Sequence, residues 1–154
     1  MNRTHIETFS YQLSPQYYFN RLLKIWLHNN WGWLLSFFLL LVGLSIQNPL
    51  FIYVGLIFLF LVFPMIISYL WFAYALHPDC RMSILSKTVE INKNGLSCTF
   101  DDGRTESIAW KRITHIRYTS TDIIFHLSNY IFFILPYNSF KSNDDLEYFL
   151  KNFL

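Results

Sequence analysis

The side chains able to do chemistry are few and scattered. His77, His115 and His126 stand apart in the chain, and no His-x-x-x-His or Cys-x-x-Cys pair supplies metal-ligand spacing. Asp101-Asp102-Gly103 lacks the alternating oxygen ligands of a calcium loop and reads instead as a β-turn. Neither a glycine-rich phosphate loop nor a nucleophile elbow occurs. With no nucleophile, base and orienting group to assemble, the chain is expected to be non-enzymatic, without cofactor or metal. What remains is a basic cluster, Lys111, Arg112 and Arg117 with His115. Sharing one rim, these bases would hold a partner or anionic lipid headgroups, at ~1 kcal/mol for each base near a membrane surface. The plainer reading is a solvated face, or pairing with Asp101, Asp102 or Glu106. Trp110 beside them is either a ligand-stacking ring or, with Ile113 and Ile116 close by, a core residue; the core reading is favoured.

The elements that must position these residues hang from residues 25–78, a stretch with no Asp, Glu, Lys or Arg. It is long enough to cross a bilayer twice, with Gln47-Asn48-Pro49 as its polar break. Span one is expected over about residues 30–46, with Trp31 and Trp33 at its entrance. Span two is expected over about 50–76, ending in Tyr69, Trp71 and Tyr74. Pro64 lies inside span two and cannot bond the carbonyl of Phe60, which predicts a bend. Gly43 and Gly55 would let the spans approach closely.

Charge orients the hairpin. Arg3, Arg21 and Lys24 precede it, Arg81 and Lys87 follow it, and the turn has no charge, so both termini are expected in the cytoplasm of a bacterial inner membrane. No ionisable acid or base lies within the spans, which disfavours a channel or transporter built from one hairpin. From His77 onward nine bases balance nine acids, a neutral surface that excludes nucleic acid as an expected partner. Cys80 and Cys98 are expected to be reduced, structural thiols. A cleavable signal peptide is not expected, because a long polar arm precedes the first apolar run and no small-x-small site follows it.

Before the hairpin, residues 5–13 alternate as a strand does, with Ile6 offset from Phe9, Tyr11 and Leu13. Ser14-Pro15 then marks a helix start. Tyr18, Leu22, Ile25 and Trp26 share one stripe of that helix, opposite Asn20 and Lys24, and it either lies on the membrane surface or continues into span one. After the hairpin the pattern alternates apolar and polar over about six short strands, with Asn94-Gly95, Asp102-Gly103 and Ser128-Asn129 at turns. Ser142 caps a final helix whose stripe is Leu146, Phe149, Leu150 and Phe153. The expected fold is therefore an α+β membrane protein. A juxtamembrane arm (1–24) and a transmembrane hairpin (25–78) carry a cytoplasmic antiparallel β-meander of pleckstrin-homology-like plan (79–154), closed by a C-terminal amphipathic helix.

Two adjacent spans, a short meander, the segment Trp110-Lys111-Arg112-Ile113-Thr114-His115-Ile116, and Leu135-Pro136-Tyr137-Asn138-Ser139-Phe140 before a last helix resemble the YcxB-like bacterial membrane proteins. The resemblance implies a pleckstrin-homology-like C-terminal module, with the N-terminal strand joining its sheet, and implies no catalytic residue. The expected function is binding, with a protein partner or a second copy of the chain in a membrane complex. Neutralising a membrane-acting toxin as an immunity protein, or scaffolding anionic lipid through Lys111, Arg112, His115 and Arg117, are the alternatives.

Overall fold

The computed structural model describes residues 5–75 and 77–152. The chain forms two compact units, Met1–Tyr18 with His77–Leu154, and Phe19–Leu76. Arg3 of the charge argument and Leu76 at the expected end of span two lie outside the described residues.

The apolar unit is built on α1 (Pro15–Gln47), one continuous helix. Ser14 Oγ accepts the N–H of Tyr17 at 3.1 Å, and Pro15 fills the first helical position, where no N–H is needed. The arm helix and the first apolar run are therefore a single element. Tyr18 and Leu22 are buried along it and Lys24 is exposed, as the stripe predicts. The return limb consists of α2 (Leu50–Ile57), a π-helical turn (Phe58–Val62) and α3 (Phe63–Ala75). This π turn stands just before Pro64, where a bend is expected. The N–H of Phe63 reaches back five residues to the carbonyl of Phe58, and the widened turn shifts the bonding register just before the proline ring. Phe58 packs its ring 4.5 Å from that of Phe37 and 5.8 Å from that of Phe38, measured between centroids. Gly55 faces Leu41, whose Cδ1 would stand 3.7 Å from an added Cβ; Gly43 has nothing within 4 Å, so only one of the two glycines sits where the limbs approach.

Two helices of this chain are long and apolar enough to cross a membrane, Pro15–Gln47 and Leu50–Tyr74, with mean hydropathies of 1.4 and 2.9. Only 11% and 6% of their apolar windows are buried. A core helix of a soluble domain would be mostly buried, and these are not.

The other unit is α+β. Its first sheet has the order β1 (His5–Glu7), β2 (Lys87–Asn92), β3 (Gly95–Phe100) and β4 (Thr105–Ala109). Its second has the order β5 (His115–Tyr118), β6 (Asp122–His126) and β7 (Phe132–Pro136). Every pairing is antiparallel. The meander thus divides at a 3-10 turn, Trp110–Arg112, into two sheets whose apolar faces share one core of Val89, Ile91, Leu96, Cys98, Ile108, Ile123, Phe125, Phe133 and Leu135. The N-terminal strand is shorter than residues 5–13. After Glu7 single bridges at Thr8–Phe140 and Tyr11–Lys87 continue the pairing, and Ile6 and Thr8 are buried while Phe9 faces outward. Thr8 follows Ile6 inward, two residues on as a strand alternates, and its hydroxyl accepts the Val89 N–H at 2.8 Å.

At the first hairpin Asn92 pairs with Gly95, so Lys93 and Asn94 form the loop and Gly95 opens β3. Glycine is required there by close approach, since a Cβ would lie 2.1 Å from the carbonyl oxygen of Ile108. The final helix α5 (Asn143–Asn152) starts at Ser142, whose Oγ accepts the Asp145 N–H at 3.1 Å. Phe149 is fully buried beside Phe125 and Phe140. The stripe is rotated from the expected one. Tyr148 packs on the core with Leu146, Leu150 is 37% exposed, and Phe153 lies outside the described residues.

A helix of seven residues, α4 (Pro78–Ile84), follows the apolar unit and packs on β7. Lys87 holds it. The ammonium donates to the carbonyls of Ser83 at 2.9 Å and Leu85 at 3.0 Å, occupying acceptors that a helix C-terminus leaves unsatisfied. It also lies 4.5 Å from the ring centroid of Tyr11 and 5.5 Å from that of Phe133.

Candidate functional site

The basic cluster maps to the junction of the two sheets. Lys111 and Arg112 are exposed on the 3-10 turn Trp110–Arg112. That turn is tied to the first hairpin, because the indole Nε1 of Trp110 donates to the Asn92 carbonyl at 2.9 Å and its backbone N–H to that of Asn94 at 3.3 Å. Trp110 is half-buried against the core, as expected of a packing residue. His115 and Arg117 are exposed on β5, two residues apart and so on the same face of the strand. Asp102 pairs with Arg104 at 2.6 Å.

β5 is an edge strand, bonded to β6 on one side. The N–H of Thr119 donates to the Asp122 carbonyl, which makes that pair a hydrogen-bonded one. By the alternation of an antiparallel ladder, Arg117 bonds Ile124, and the N–H and C=O of Ile116 and Tyr118 point away from β6. The edge therefore carries outward backbone donors and acceptors beside outward bases.

One residue joins the cluster that the sequence reading left out. His126 is registered directly opposite His115, and the two ring centroids are 5.8 Å apart. Burial lowers the pKa of His126 below its ordinary value, with smaller contributions in the same direction from His115 and Arg117. The signal was legible in principle: counting outward from the Thr119–Asp122 turn puts residues 115 and 126 face to face. Behind His126 lies Phe132, at 5.8 Å between centroids, and on Phe132 stacks Tyr18 at 4.5 Å.

Elsewhere the polar groups are used internally. The buried Asp122 carboxylate accepts hydroxyls from Tyr17 at 2.5 Å, Thr121 at 2.9 Å and Thr119 at 3.2 Å, pinning the start of α1 to the β5–β6 turn. Burial lowers Lys87 to about 8 and pushes the Cys98 thiol up to about 12, which makes Cys98 a poor nucleophile. Both cysteines are free and buried. A groove of about 270 Å³ between β3 and β4 is lined by Asn92, Asn94, Ser97 and Ser107 among other residues, with no charged group. Among the described residues no three His, Cys, Asp or Glu side chains converge as a metal set would.

The order from the end of β2 through the Trp110 turn, the second sheet, the Tyr137–Ser139 turn and α5 is the order that the sequence resemblance implied. Residues 91–153 match the family model of YcxB-like protein. The YcxB-like segment therefore includes every residue of the basic edge, and the apolar helices lie outside it. No curated protein and no solved structure matches the chain.

Proposed function

We propose that this is a membrane-anchored, non-enzymatic binding protein whose YcxB-like module takes a protein partner along the β5 edge. In this reading the two apolar helices form a hairpin in the bacterial inner membrane, both termini lie in the cytoplasm, and the two sheets with α5 are a reduced pleckstrin-homology-like domain. The length, hydropathy and low burial of the helices support insertion, and the bases on either side of the uncharged turn support the orientation. The observation that carries the partner reading is the outward backbone at Ile116 and Tyr118, without a strand partner among the described residues, on an edge strand flanked by exposed bases. An extended segment of another protein, or of a second copy, adds there as a further strand.

A second reading rests on the exposure of Lys111, Arg112, His115 and Arg117 together: these bases suit anionic lipid headgroups as well. One experiment separates the two. A photo-crosslinking amino acid at position 118, in the native membrane, is expected to trap a discrete protein adduct. Tyr118→Pro should abolish a crosslink placed at position 116, while Tyr118→Ala retains it, because proline removes the outward N–H without disturbing the bonds to β6. Lipid adducts alone would favour the headgroup reading, and no adduct of either kind would sink both.

A further inference from the structure

His115, Arg117 and His126 point out of one face of the second sheet. Their core-side neighbours Ile116, Phe125 and Phe133 point the other way into the shared core. His115 and His126 are a direct cross-strand pair, and Arg117 is the diagonal neighbour of His126, within about 8 Å by strand geometry. Three nitrogen-bearing side chains therefore neighbour one another on one face, beside the open backbone of β5. On the same face β7 contributes Phe132, Ile134 and Pro136, none of which titrates, and Tyr18 covers Phe132. The acid of β6 on this face, Asp122, is four residues along the strand, about 13 Å away, and is held by three hydroxyls. Among the described residues of these strands, a negative charge at the triad thus meets donors and no nearby acid, and the His126 ring also holds a backbone hydrogen bond at Ser128.

We propose that His115, His126 and Arg117 form a receptor for a side-chain carboxylate of an acidic extended segment paired on β5, and that this contact is proton-linked. The proposal rests on the edge-strand reading above and adds the chemistry of the partner and its regulation. Arg117 provides a constant cation suited to a carboxylate. The His126 imidazole supplies further charge only when protonated. His126 resists protonation because it is half-buried and faces His115 and Arg117. A bound carboxylate reverses that balance, since an opposite charge at hydrogen-bonding distance favours the imidazolium. Binding therefore takes up protons, and by linkage it tightens as the pH falls below the ordinary histidine value of 6.5. A lipid phosphate would meet the same charges but would leave the outward N–H and C=O groups of Ile116 and Tyr118 unused, which is why a peptide carboxylate fits the edge better.

The test uses the full chain in nanodiscs of zwitterionic phosphatidylcholine and a fluorescent peptide of alternating Val and Glu, with a Val and Gln peptide as control. Lowering the pH from about 7.5 to about 5.5 should tighten the Val-Glu peptide roughly 10-fold. His126→Gln should remove most of that gain, while His115→Gln, an exposed change that leaves the fold intact, should weaken binding at both pH values. Arg117→Gln should weaken binding at both pH values. If the Val-Gln peptide binds as well, with no pH dependence, the carboxylate receptor is wrong while the edge reading stands. If neither peptide binds, the edge reading fails with it. Peptide-independent binding of phosphatidylglycerol vesicles, lost in His115→Gln, would replace the proposal with a headgroup site.

Discussion

Tyr18 and Phe132 meet twice. Their rings stack at 4.5 Å with an interplanar angle of 18°, and the Tyr18 hydroxyl donates to the Phe132 carbonyl at 3.3 Å. The same hydroxyl reaches Cys80 Sγ at 2.9 Å, and Ser83 Oγ donates to the same carbonyl at 3.1 Å. The first residue of β7 therefore gathers the beginning of α1 and the whole of α4, the two segments through which the chain leaves this unit and returns to it.

That gathering predicts a graded loss. Tyr18→Phe keeps the stacked ring and removes one hydroxyl, at about 1 kcal/mol. Tyr18→Ala empties a fully enclosed site and should cost about 3 to 5 kcal/mol. Chemical denaturation of the full chain in mild detergent, followed by tryptophan fluorescence, reads both. Equal effects of the two substitutions would show that the ring contributes nothing.

Lys87 predicts an alkaline gain in stability. Its folded pKa of about 8 lies below the ordinary 10.5, so above pH 8 the folded state has released a proton that the unfolded state still holds, and stability rises with pH. The Cys98 thiol acts in the opposite sense. Held near 12 against an ordinary 9.0, it makes the folded state lose ground once the unfolded thiol ionises above pH 9. The window for Lys87 is thus pH 8 to 9. Melting temperature should climb across it in the natural protein and stay flat in Lys87→Met, which fills the same space without a charge.

The proposed membrane orientation predicts opposite accessibility at two exposed positions. Asn48→Cys, between the two apolar helices, should react with an impermeant maleimide added outside intact cells. Ser120→Cys, on the β5–β6 turn, should react only after the cells are opened. Cys80 and Cys98 are buried and should stay silent in the background. Labelling of both positions in intact cells would overturn the cytoplasmic placement of the YcxB-like module.

What the sequence determined by itself was local. Uncharged apolar runs as long as these exceed any ordinary strand, so the apolar parts of α1 and of the return limb were legible as helices from length and composition. Ser14-Pro15 and Ser142 capped their helices as read, because a cap bonds N–H groups only a few residues away. Alternation marked the strands from Lys87 to Pro136 for the same reason, each side chain being assigned to a face by its neighbours in the chain. Only the tertiary structure decided matters that depend on register and enclosure. The division of the meander at Trp110, the turn of α5 toward Tyr148 in place of Leu150, and the burial of Lys87 all follow from how separate elements close over one core. The candidate site lies between these two kinds of information. Its bases His115 and Arg117 stood in plain view on one strand, but His126 joined them through cross-strand pairing, which links residues by distance in space while the sequence orders them by distance along the chain.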